Sequence, residues 1–172
     1  PRWILGPPEG YGPGSAQLAR FLLRPVGEGF EWSWAQHDPE LLPDQDGNPD
    51  TLDLILLDNG QSRSFTRAAA IPAEANWSRG VQYRIDEKAM TVRQIWQYGK
   101  ERGSECYAAF LGGIAWLPRT GNRLMAFGGQ LRREGRPTDE IFSAVLGASA
   151  MESRIVEVNG KGEPVFELAV KG

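Results

Sequence analysis

Leu42-Pro43 and Leu54-Ile55-Leu56-Leu57-Asp58-Asn59-Gly60 return later in the chain as Leu117-Pro118 and Leu124-Met125-Ala126-Phe127-Gly128-Gly129. A spacing of about 75 residues between copies marks an internal repeat, which decides the architecture before any single element does. The rest of each copy follows suit. Ser78-Arg79-Gly80-Val81-Gln82-Tyr83 matches Ser153-Arg154-Ile155-Val156-Glu157-Val158, with apolar residues at every second position as a half-buried strand requires. The copies close on Val92-Arg93-Gln94-Ile95-Trp96-Gln97-Tyr98 and Val165-Phe166-Glu167-Leu168-Ala169-Val170. Each copy therefore predicts a four-stranded antiparallel sheet, with strands near Leu41, Leu54, Val81 and Ile95 in one and near Ile114, Leu124, Ile155 and Phe166 in the next.

Four antiparallel strands repeated at a fixed period describe a blade of an all-β propeller, here longer than the usual repeat of roughly 40 to 50 residues. Residues 29–101 form one expected blade and 102–172 the next. The opening Trp3-Ile4-Leu5-Gly6 echoes Trp96-Gln97-Tyr98-Gly99, so residues 1–8 read as the outer strand of a preceding blade, lying outside both sheets. Residues 9–28 form a connector, where Ser15 precedes a helix-period run that Pro25 stops. The stretches 63–76 and 132–150 are insertions, the second with a strand expected over Ile141 to Leu146. Propellers close with roughly 4 to 8 blades, so two blades are expected to be part of a larger ring, with open apolar edges that favour self-association.

Composition narrows the function. The 172 residues include six Trp, 21 Gly and 12 Pro, a trio suited to short strands and tight turns. A net charge of -3 with interspersed signs offers no basic face for nucleic acid or an anionic membrane. No apolar run approaches the roughly 18 residues of a membrane-inserted helix, and the first residues do not form a signal peptide. The one cysteine, Cys106, excludes an internal disulfide and a multi-thiolate metal site, and without a second histidine it reads as a packed thiol.

His37 is the one histidine, and it stands where the first strand of the first copy begins. The first strand of a blade lines the central channel, and the equivalent position in the second copy is Gly112. One blade thus presents an imidazole to the axis where its neighbour presents none. The partner strand returns Asp58 and Asn59 to the level of His37, and either could orient the ring so that its other nitrogen acts as a nucleophile. Taken alone, a histidine before Asp38-Pro39 reads more readily as a loop residue than as a functional one. Asp44, Asp46, Asn48 and Asp50 have the spacing of a calcium loop but lack its bidentate glutamate, so a solvated turn is expected and no metal site. Asn76-Trp77-Ser78 fits the glycosylation pattern without further support. Trp32 and Trp34 alternate, as partners in a site or in packing.

The stretches Phe30-Glu31-Trp32-Ser33-Trp34-Ala35-Gln36-His37, Leu57-Asp58-Asn59-Gly60, Tyr83-Arg84-Ile85-Asp86-Glu87-Lys88 and Ile95-Trp96-Gln97-Tyr98-Gly99-Lys100-Glu101-Arg102-Gly103 resemble the C-terminal third of bacterial arylsulfate sulfotransferases. The resemblance runs over essentially the whole chain. It implies a six-bladed periplasmic propeller that moves a sulfuryl group from a phenolic sulfate ester to a phenol, with no cofactor, through a transiently sulfated histidine. By position that histidine is His37. The resemblance also implies further histidines, an arginine and an asparagine upstream of Pro1, so residues 1–172 alone are expected to be inactive. A cysteine pair that some members carry before the histidine strand is missing here. The contrasting reading is a propeller segment that only binds a ligand or a protein.

Overall fold

The computed structural model describes residues 1–9 and 15–172. Its strands in chain order are β1 (Arg24–Pro25), β2 (His37–Leu42), β3 (Thr51–Asp58), β4 (Arg79–Asp86), β5 (Thr91–Tyr98), β6 (Phe110–Leu117), β7 (Asn122–Arg133), β8 (Arg136–Thr138), β9 (Ala150–Val158) and β10 (Pro164–Val170). The fold is all-β, and the strands form two sheets, ordered β1-β5-β4-β3-β2 and β10-β9-β7-β6 with β8 added beside β7. Among these strands all pairings are antiparallel except β1 with β5. The expected grouping of strands into sheets is thus present, with one extra short strand in each.

Why β3 reads as a continuous apolar run, where β4 alternates, follows from what covers it. Side chains along a strand point to opposite faces in turn. Ile55 and Leu57 face the second sheet and pack with Ile114, Met125, Phe127, Val156 and Val158. Leu54 and Leu56 face the other way, with Val81, Tyr83 and Ile85, under a cover that includes Trp3, Leu5, Leu23 and Phe30. Both faces of β3 are dry, so both sets must be apolar. Burying one such side chain fully stabilises the fold by about 1.5–3 kcal/mol. At the seam β4 contributes Gly80, where an added Cβ would lie 2.6 Å from Ile114 Cδ1 and from Met125 Sδ. The absent side chain lets the sheets close.

The N-terminal cover is laid down by residues 1–25. Ile4 bridges Leu22 in parallel, outside both sheets as expected. A 3-10 helix spans Ser15–Phe21. The chain then runs as β1 beside β5, where Arg24 and Val26 donate their N–H groups to Met90 and Val92. Pro25 between them has no N–H to lose, which suits an edge. The expected strand over Ile141 to Leu146 is corrected: Ile141–Val145 is a one-turn α-helix, α1. A short apolar run fits either state. The insertion instead adds the β7–β8 hairpin, turned at Glu134 and Gly135, both at positive φ. No helix among the described residues is long and apolar enough to cross a membrane.

Candidate active site

His37 begins β2 opposite Leu57 on β3. The pairing slips by one residue between His37 and Glu40, a β-bulge that includes Asp38 at φ 55°. Bulges re-aim side chains, and this one sends two neighbours in different directions. The half-buried His37 ring turns to Asn59 of its own sheet, with Nδ1 2.7 Å from Asn59 Oδ1 and 3.2 Å from Ala35 O. The Asp38 carboxylate reaches the second sheet and accepts the Ile114 N–H at 3.1 Å.

The hydrogen bonds of Asn59 settle which imidazole nitrogen carries the proton. Its Nδ2 donates to Ala108 O and to Leu111 O, both at 2.8 Å. With the amide hydrogens facing carbonyls, the other amide atom must be the oxygen, which can only accept. Ala35 O is an acceptor too. In the neutral ring the proton therefore sits on Nδ1, and Nε2 keeps its lone pair. Asn59 is fully buried, so this choice is made in a dry setting where an unpaired amide would be costly.

Asp58, the other candidate for orienting the ring, is engaged elsewhere. Its Oδ2 accepts Arg79 Nε at 2.9 Å and Arg63 Nη1 at 3.1 Å, and its Oδ1 accepts the Trp34 N–H at 2.9 Å. Gly60 N donates to Trp34 O at 2.8 Å. Three consecutive residues at the end of β3 thus grip the segment before β2: Asp58 and Gly60 hold Trp34, and Asn59 holds His37. Arg79 is fully buried and spends its donors on Asp58, Glu31, Gln94 and Gln97, with Lys100 pairing the same Glu31. Arg63 stacks over Trp77 at 4.2 Å, and burial lowers its affinity for its proton.

Sequence reasoning missed the role of Arg79. The signal available was the repeat itself, because Arg154 is its counterpart and pairs with Glu105 and Glu167 in the second sheet. The remaining candidates separate. Trp32 packs edge-on against Phe30 at 4.8 Å, and Trp34 meets Phe65 at 4.9 Å, so the two indoles do not share a partner. Asn76 is fully buried, with its amide donating to Gly60 O, which leaves it closed to modification in the folded chain. Cys106 is buried, and that burial pushes its thiol up to about 12, so it does not supply a thiolate at neutral pH. Asp46 accepts from Asn48 N, which lowers its pKa, and pairs with Arg84. Among the described residues no group of three or more His, Cys, Asp or Glu could hold a metal ion.

The described residues thus form an all-β scaffold in which a buried asparagine orients the imidazole of His37. The arylsulfotransferase (ASST) family model matches residues 2–172, and the chain belongs to that family. It is 32% identical over 155 residues to the arylsulfate sulfotransferase AssT of Lelliottia amnigena, a match covering 80% of this chain and 24% of the relative. The AssT protein of Escherichia coli O6:H1 matches with the same identity and coverage. The chain spans about a quarter of the length of these curated relatives.

Proposed function

We propose that this chain carries the nucleophile of an arylsulfate sulfotransferase and that the nucleophile is Nε2 of His37. The observation that carries the reading is the His37–Asn59 hydrogen bond of 2.7 Å, with the Asn59 amide hydrogens committed to Ala108 and Leu111. In the first half-reaction the Nε2 lone pair attacks the sulfur of a phenolic sulfate ester. The S–O bond to the ring breaks, its electron pair leaves on the phenolate, and an N–S bond forms. The imidazole becomes cationic, and the proton on Nδ1 is then shared more strongly with Asn59 Oδ1, as hydrogen bonds to charged groups are. In the second half an acceptor phenolate attacks the same sulfur and the N–S pair returns to Nε2. The acceptor's proton balances the phenolate set free earlier, so the cycle needs no cofactor.

The two sheets are read as consecutive blades of a periplasmic propeller, with residues 1–8 belonging to the blade before them. Sulfuryl transfer places negative charge on three oxygens, and losing even one preorganised donor to such a charge costs roughly 100- to 1,000-fold in rate. Residues 1–172 alone are therefore proposed to be inactive, and to self-associate through β10, whose Val165, Phe166, Leu168 and Val170 are exposed. The test uses the full-length protein and its His37→Asn variant with 4-nitrophenyl sulfate, following phenolate release and seeking a sulfuryl adduct by mass spectrometry. Wild type is expected to give a burst and an adduct on His37, with neither in the variant. Undiminished turnover in the variant, or an adduct on another residue, overturns the assignment.

A further inference from the structure

Asn59 fixes the imidazole of His37 only as long as its own amide keeps its orientation. Turned over, the amide would donate to Nδ1, the ring proton would sit on Nε2, and no lone pair would be left there to attack sulfur. Two carbonyls oppose that turn. Ala108 O and Leu111 O each lie 2.8 Å from Asn59 Nδ2, and in the turned amide they would face an oxygen instead of a donor. Lone pairs would then point at one another in a dry setting, with the hydrogen bonds lost.

Leu111 offers its carbonyl from a strained backbone. β6 pairs with β7 through Phe110 opposite Gly129 and Gly112 opposite Phe127, and Leu111 between them is left out of the ladder. It holds φ 59° and Gly112 holds φ 111°, so residues of positive φ stand at both ends of the peptide that joins them. A left-handed φ is disfavoured for any residue with a Cβ, and packing does not demand a leucine here, since 49% of it is exposed. Such strain persists where the surroundings over-determine it, and it gathers at functional sites. Ala35, whose carbonyl also meets Nδ1 of His37, and Asp38, which follows the ring in sequence, are left-handed as well, at φ 52° and 55°. Gly128 leaves the room that the turned peptide needs. An added Cβ there would lie 3.1 Å from Gly112 N and 3.4 Å from the Leu111 carbonyl carbon, the two atoms of that peptide bond. In the repeat Gly128 and Gly129 stand where the first copy has Asp58 and Asn59, so one sheet carries the polar grip and the other makes space beside it.

We propose that the Leu111–Gly112 peptide is a positioning element for His37: its carbonyl holds the Asn59 amide in the one orientation that keeps Nε2 free, and Gly128 gives that peptide its place. The effect on rate rests on His37 being the nucleophile; the effect on the ring does not. Full-length wild type, Gly128→Ala, Leu111→Val and Leu111→Gly are compared. Nitrogen NMR of histidine-labelled protein in alkaline buffer reads the ring tautomer, with the His37 signals assigned by their loss in His37→Asn. The phenolate burst with 4-nitrophenyl sulfate reads the rate. Gly128→Ala presses on the peptide by a few tenths of an ångström, and a misplacement of about 1 Å can cost about 100-fold. That variant should therefore raise the Nε2–H fraction and slow the burst about 3- to 10-fold, with the ester concentration that half-saturates the burst unchanged. Glycine enters the left-handed region freely and β-branched valine resists it, so Leu111→Val should be slowed more than Leu111→Gly. Packing alone gives the opposite order, because glycine deletes more side chain. A tautomer unchanged in both Gly128→Ala and Leu111→Val, or the opposite order at Leu111, overturns the proposal. A shifted tautomer with an undiminished burst supports the positioning and removes His37 as the nucleophile, so the two failures give different results.

Discussion

Oδ1 of Asn59 accepts the Nδ1 proton of His37 at 2.7 Å while the two amide hydrogens of Asn59 are tied to backbone carbonyls at Ala108, just before β6, and at Leu111, within it. The protonation pattern of the imidazole is thus dictated from outside its own strand. Under the proposed chemistry, replacing Asn59 by Ala in the full-length protein removes the acceptor whose hydrogen bond strengthens as the ring turns cationic. The phenolate burst with 4-nitrophenyl sulfate is expected to slow about 10- to 100-fold, the worth of a hydrogen bond to a charged group. Circular dichroism at the assay temperature checks that the variant is folded, and a normal burst rate in folded protein would make Asn59 a packing residue only.

Asp58 sits between Arg79 and Arg63 with all three side chains essentially out of water. Removing one member of such a cluster strands the others, at a cost of about 3–5 kcal/mol. Asp58→Ala should lose about that much in urea denaturation. Adding Arg79→Met should cost less than the sum of the single changes, since the stranded cation goes with it. Additive losses would mean that the two residues do not act as a pair.

Gly112 is the counterpart of His37 in the repeat, and it holds φ 111° with no room beside it. An added Cβ would lie 2.1 Å from the Ala126 carbonyl oxygen and 2.7 Å from Leu57 Cδ2. Gly112→Ala is expected to cost about 1–3 kcal/mol or more in calorimetry. Gly160→Ala, where no atom of the described residues lies within 4 Å, should stay within about 0.5 kcal/mol of wild type.

Burial raises the Cys106 thiol from 9.0 to about 12 and the phenols of Tyr83 and Tyr107 from 10.0 to about 12. Between pH 9 and pH 12 the unfolded chain releases these protons while the folded chain keeps them. Their contribution is complete below pH 9 and is lost as pH rises through that window. Denaturation midpoints should therefore fall on the alkaline side, and Cys106→Ala should flatten the slope that begins near pH 9. An unchanged slope in that variant would assign the alkaline loss to other groups.

Most of the sheet architecture was legible because periodicity and the repeat act locally. Val81, Tyr83 and Ile85 alternate, and Leu54 to Leu57 do not, for the single reason that β3 is covered on both faces. The run from Ile141 to Leu146 misled because it is apolar and short, and its side chains are turned outward. The strand pairing of Arg24 and Pro25 left no sequence signal, since a two-residue parallel contact depends on the packing of the N-terminal cover. At the site, the proximity of Asn59 to His37 followed from hairpin geometry. The choice of Asn59 over Asp58 did not, because it depends on Arg79 and Arg63, whose positions are set by β4 and by the insertion after β3.

The bulge after His37 has a mechanical meaning. Asp38 is fastened to Ile114 across the seam, and the residue before it is fastened to Asn59 within the first sheet. The peptide between them is therefore a hinge pin with each end anchored in a different plate. Any rotation of one sheet against the other must be absorbed at Asp38, already at φ 55°, or transmitted to the imidazole. The ring proposed to meet sulfur thereby acts as a gauge of how the two sheets are seated. Substitutions along the seam at Gly80, Ile114 or Met125 can detune it without touching the site.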